Sequence, residues 1–208
     1  MKFISRHIIF AILAFLLFLF LILNNSQSQH SKINTVTESL IQNGDLIFRR
    51  GHSAESQVVI ITDCKSRFSH VGIICFENAI PFIIHAVPGE NKGEPDFIKK
   101  EKLTEFLNPE KASEFAIYRS DFSEEIKNRA VVNAIQFFEN KLTFDDKFDF
   151  TSDEQLYCTE LVLKAFQTDS FKSLQIKSTS LNFIFGKLDV ILPGNIIENP
   201  HFFKIINH

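Results

Sequence analysis

The chain has no tryptophan, two tyrosines, three cysteines, six prolines and seven glycines among its 208 residues. So little glycine and proline excludes a collagen-like fibre and a low-complexity disordered tail. Three cysteines without a C-x-x-C pair exclude a disulfide-stapled miniprotein, and their odd number leaves at least one thiol free. No glycine-rich phosphate loop of either standard spacing occurs. Positive charge is also short. Of 22 basic side chains, Lys2 and Arg6 lie in an apolar leader, which leaves 20 against 25 acidic ones, a balance of about −5. Such a body lacks the clustered positive surface that grips nucleic-acid phosphates, so no nucleic-acid partner is expected.

What is present is 45% hydrophobic and includes 24 phenylalanines, enough for one domain of ordinary size. An uncharged run from Ile8 to Leu23 follows Lys2 and Arg6. As a helix it would span roughly 24 Å, short of a ~30 Å hydrocarbon core. The polar residues after it include Ser26-Gln27-Ser28, with small residues at the spacing a signal peptidase takes. Residues 1–28 are therefore expected to be an export signal, or else an uncleaved anchor that associates with the membrane through residues 8–23. No cysteine follows the run, which excludes a lipoprotein anchor. Residues 29–208 are expected to form a single α+β domain outside the cytoplasm.

Along that domain the patterning predicts a short helix over Thr37–Gln42 and a strand over Asp45–Phe48. A helix capped by Ser53 should run to about Ile61, with Val58, Val59 and Ile61 on one side. His70–Phe76 and Phe82–Val87 read as a hairpin about Glu77-Asn78, and Pro88–Pro95 as a loop. The lysine-rich stretch Phe97–Leu107 is expected to be helical, and Phe115–Tyr118 a strand. Ser123 opens the clearest helix, with Ile126, Ala130, Ala134, Phe137 and Phe138 at helical spacing. Asn140–Asp153 reads as a loop and Gln155–Gln167 as a second amphipathic helix. The tail should give a strand near Val190, a Pro193-Gly194 turn into a short helix, and a strand over Phe202–Ile206.

Three residues could together make a thiol nucleophile. Cys158 lies in the first turn of its helix, where unpaired amides and the dipole favour a thiolate and lower the pKa. His70 opens a strand, and His85 lies near the end of the strand expected to pair with it. A neutral imidazole can take a thiol proton, and a second polar side chain can orient that imidazole. The alternatives stay open on the residues alone: a cysteine on such a helix is often a small core residue, and single histidines are often structural. Cys64 and Cys75 read as core or loop thiols. A zinc site from His70, His85 and Cys158 lacks both a close ligand pair and a fourth ligand, so no metal or other cofactor is expected. Asp145-Asp146 and Asp153-Glu154 read as solvated loop carboxylates.

The ordered set GDLIF (Gly44–Phe48), FSHVGI (Phe68–Ile73), FIIHAV (Phe82–Val87) and LYCTELV (Leu156–Val162) resembles the YiiX/YebB-like cysteine hydrolases. These are the circularly permuted, papain-like branch of the NlpC superfamily, related to lecithin retinol acyltransferase-type enzymes. The resemblance runs from about Gly44 to the end. It implies a small antiparallel barrel-like sheet with packed helices, Cys158 as nucleophile, His70 as general base and His85 as the orienting third member. It also implies that Tyr157 and Ser69, beside the nucleophile and the base, shape the substrate site. The implied activity is thiol-based amide hydrolysis or acyl transfer. Export points to a cell-wall peptide, whereas the many phenylalanines and the lipid acyltransferase kinship point to an N-acyl or lipid-like amide. The alternative is a non-catalytic peptide- or lipid-binding module on the same fold.

Overall fold

A computed structural model describes residue 15 and residues 39–88, 96–148, 153–167, 174–183 and 186–207. The expected export segment lies outside these residues except for Phe15, which is helical and exposed. Residues 37 and 38 of the expected helix over 37–42, and parts of the loops over 88–95 and 140–153, also lie outside them, and of the rest of that helix residues 39 and 40 are helical. Among the described residues no helix is long and apolar enough to cross a membrane. Contacts divide the chain into units 1–40 and 41–208, and the second carries the fold.

Among the described residues it holds eight strands and five helices. They are β1 (Leu46–Gly51), α1 (Ala54–Thr62), β2 (His70–Glu77), β3 (Ile80–His85), β4 (Lys99–Lys102), α2 (Leu103–Phe106), β5 (Ala112–Ser120), α3 (Glu124–Glu139), α4 (Cys158–Phe166), β6 (Thr179–Phe183), β7 (Gly186–Val190), α5 (Pro193–Ile197) and β8 (Phe202–Asn207). Six strands form one antiparallel sheet in the order β4-β3-β2-β1-β5-β8, and β6 with β7 forms a separate hairpin. The architecture is the α+β class read from the sequence. The barrel-like closure expected there does not occur, because β4 and β8 end the sheet at opposite edges instead of pairing.

Strand alternation sorts the sheet into two faces. Leu46, Phe48, Val71, Ile73 and Ile84 share one face with Ala130 and Ala134 of α3 and with Leu161, Val162 and Phe166 of α4. Ser123 caps α3, its hydroxyl accepting from the Ile126 amide at 3.4 Å. The alternate positions, Ile47, Arg49, His70, Ile83 and His85, lie on the other face, partly covered by Phe106 of α2. The GD of GDLIF acts at the entry to β1. Gly44 adopts φ +80°, and a Cβ there would stand 3.0 Å from Lys127 Cβ. Asp45, fully buried, receives Arg119 Nε at 2.9 Å and Nη2 at 2.7 Å, which ties β1 to β5.

Two sequence readings need correction. The stretch 97–107 is not a helix: Lys99–Lys102 pairs antiparallel with β3, and only Leu103–Phe106 turns helical. Lysines suit such an edge strand, since charge there deters pairing with other chains. The helix after Ser53 forms with its cap, but its apolar residues do not face inward: no residue of α1 is buried, and Val58 and Ile61 are exposed.

Candidate active site

Cys158 is the first residue of α4, with Tyr157 as its N-cap. Its two neighbours fix that start from either side by gripping one residue, Ile191. Thr159 Oγ1 donates to the Ile191 carbonyl at 2.7 Å, and the Ile191 amide donates to the Tyr157 hydroxyl at 3.2 Å. The Y-C-T order is thus a clamp around the cysteine. Tyr157 is only 2% exposed and packs with Val190, Leu192 and the Phe148 ring. Its side chain lines the inside of the fold beside Cys158 instead of an open surface.

The backbone amides of Val71, Thr159 and Cys158 itself lie where they favour the thiolate of Cys158. Val71 follows His70 in the chain, so the helix start meets the sheet one residue from the candidate base. Next to them, the Ser69 hydroxyl accepts from the Gly51 amide at 3.0 Å, joining the end of β1 to the start of β2. The sequence assigned Ser69 to substrate; the structure engages its hydroxyl with backbone.

His70 and His85 meet directly. His70 Nε2 lies 2.8 Å from His85 Nδ1, with the rings nearly perpendicular at 79°. They come from adjacent strands, β2 and β3, as diagonal neighbours. Gly72 makes this approach possible, because a Cβ there would sit 3.1 Å from His85 Cβ and 2.5 Å from Ile83 Cγ2. Behind His85, its Nε2 faces Glu101 Oε2 at 3.3 Å, and Glu101 Oε1 meets Lys111 Nζ at 3.1 Å. Glu101 sits on β4 and was hidden by the helical reading of its segment. No alternation in the sequence marks this strand, since Lys99–Lys102 are all charged and Ile98 and Leu103 would fall on opposite sides of an extended chain.

Arg49 is a second residue not singled out from the sequence. It is buried, donates from Nη1 to the Phe106 carbonyl at 3.0 Å, and stacks on the Phe106 ring at 4.4 Å. That ring in turn packs edge-on against His85, 5.1 Å between centroids.

The electrostatics correct one expectation. Burial pushes the Cys158 thiol up to about 11, despite the opposing amides of Val71, Thr159 and Cys158 and the charge of Arg49. The helix terminus therefore does not lower it as the sequence suggested. Burial likewise holds His70 well below 6.5, and the charges of Arg49 and His85 add to this. At neutral pH both partners are uncharged. Glu101 is the fixed anion: burial raises it, but hydrogen bonding and charge from His85 and then Lys111 outweigh that and bring it down to about 2. Asp145, expected to be solvated, is 1% exposed, while Asp146, Asp153 and Glu154 are exposed as expected. Cys75 is buried within the sheet and Cys64 is exposed.

A helix that starts on a cysteine, set against an antiparallel sheet whose histidine precedes that cysteine in the chain, defines the permuted papain-like class. The family model of the permuted papain-like amidase enzymes, YaeF/YiiX, C92, matches residues 40–206, and the chain belongs to that family. It is accordingly a hydrolase of the cysteine amidase/peptidase kind. A crystal structure of the metalloprotein yiiX from Escherichia coli O157:H7 has the same fold, with a TM-score of 0.64 and 19% identity over 80% of this chain and 97% of that one. No curated protein matches the chain. The residues here do not fit a metal site: among the described residues no group of three His, Cys, Asp or Glu side chains could hold a metal ion, and both ring nitrogens of His85 face protein partners.

Proposed function

We propose that the chain is an exported cysteine amidase in which Cys158 is the nucleophile, His70 the general base and His85 its orienting partner. The observation that carries this reading is the buried His70–His85 contact, together with a Cys158 thiol that lies against the Val71 amide, next to His70 in the chain. Residues 29–208 are the catalytic domain, and residues 1–28 direct export, with residues 8–23 available to hold a membrane.

The resting pair is a neutral thiol and a neutral imidazole, so proton transfer accompanies attack. As Sγ bonds to the amide carbon, the thiol proton moves to His70 and the carbonyl electrons move onto oxygen. Backbone amides, that of Cys158 among them, hold the oxyanion. On collapse the C–N bond breaks and the amine leaves with the proton from His70. A water molecule then attacks the thioester while His70 takes its proton, and His70 returns it as the thiolate leaves, releasing the acid and restoring Cys158.

The substrate is an amide, either a cell-wall peptide or an N-acyl, lipid-like amide. The test incubates the full-length protein and its Cys158→Ala variant with panels of both and reads products by mass. Wild type should release one acid and one amine from one panel, and Cys158→Ala should be slower by roughly a thousandfold or more. Equal rates for the two proteins would remove Cys158 from the mechanism.

A further inference from the structure

We propose that Glu101, held by Lys111, is a positioning residue that fixes the tautomers of both histidines and leaves Nδ1 of His70 to take the Cys158 proton. The inference rests on the amidase reading, since it concerns the base of that same site. His85 Nε2 lies at ion-pair distance from Glu101 Oε2, 3.3 Å, and because a carboxylate only accepts, the hydrogen is favoured on that nitrogen. In the neutral state of His85 that Nε2–H is the single N–H of the ring, so Nδ1 accepts. His70 Nε2, 2.8 Å away, then donates. Because His70 is itself neutral, its other nitrogen, Nδ1, is bare and is the one left for the thiol.

The surroundings keep this order in one direction. His85 faces Arg49 on β1 through the Phe106 ring, His70 on β2, and Lys99 and Glu101 on β4, with Lys111 leading into β5. Glu101 is the anion in that set, and Lys111 holds it from the far side. Without it His85 could carry its hydrogen on Nδ1. His70 would then accept at Nε2, carry its own hydrogen on Nδ1, and lose the ability to deprotonate Cys158.

Nitrogen-15 spectra of the histidine rings in the full-length protein near neutral pH read the tautomers directly. The expected result is Nε2–H on both His70 and His85. Glu101→Ala should give mixed tautomers at His85, and kcat on the amide that wild type cleaves should fall roughly 10- to 100-fold with KM held within about twofold. Nδ1–H on either ring in wild type, unchanged tautomers in Glu101→Ala, or an unchanged kcat would each overturn the proposal. The wild-type spectra require neither a folded variant nor a substrate. A failure of the positioning role is therefore separable from a failure of the amidase reading, which the Cys158→Ala comparison decides.

Discussion

A single absent methyl group governs how closely the two histidines approach. Gly72 lies between them on β2, and the space its Cβ would occupy is taken by Ile83 Cγ2 and His85 Cβ. Gly72→Ala should therefore cost about 1–3 kcal/mol, the usual range for an overpacked core position. It should also displace His85 from His70, so that activity falls further than the folded fraction does. Urea unfolding with a parallel rate measurement checks this; an alanine variant of unchanged stability and rate would mean the sheet yields there without consequence. The residues of this contact were legible in the sequence as chemistry: Cys158, His70 and His85 are the residue types thiol catalysis needs, in an ordered set of motifs. Their physical states were not. A helix N-terminus predicts a lowered thiol pKa, but burial of Cys158 outweighs its amides and leaves the thiol at about 11. Burial depends on what packs against the residue, and no local pattern encodes that.

Elements whose local signals and tertiary setting agree were read correctly. Ser123 with its acidic first turn gave α3, Ser53 capped α1, and the hairpin of β2 and β3 stands where its two apolar runs about Glu77-Asn78 put it. The segment 97–107 shows the opposite case. Its lysines and glutamates are good helix formers, yet pairing with β3 holds Lys99–Lys102 extended and brings Glu101 behind His85. The error in secondary structure was thus also the reason a site residue went unseen. The β2–β3 turn carries a separate conflict. Asn78 and Ala79 have φ of 50° and 64°, both left-handed, the pairing a tight hairpin turn takes. Asparagine tolerates that region, but alanine pays about 1–2 kcal/mol for it. Ala79→Gly should raise stability by about 0.5–1 kcal/mol after the added freedom of the unfolded chain is subtracted. Thermal or urea unfolding that showed a loss instead would place the turn outside that class.

Across the whole molecule, two buried titratable groups next to the site pull stability in opposite directions with pH. His70, depressed below 6.5 by burial, binds protons more readily when unfolded, so its contribution is present above pH 6.5 and is lost as pH falls. Glu160, two residues beyond Cys158 on α4, is raised from 4.5 to about 7 by burial, against the pull of Lys164 and with the Asp145 charge adding to the rise. Its contribution is therefore complete below pH 4.5 and is lost as pH rises to about 7, where the buried carboxyl must ionise. Glu160→Gln isolates this effect, because both proteins keep His70 and the amide oxygen can still accept from Lys164. Relative to the variant, wild type should lose up to about 3 kcal/mol between pH 4.5 and about 7 and nothing more above that. Urea midpoints of the two proteins across this range measure the difference. A gap independent of pH would show that Glu160 ionises as readily folded as unfolded, and that the buried start of α4 is far more hydrated than its packing implies.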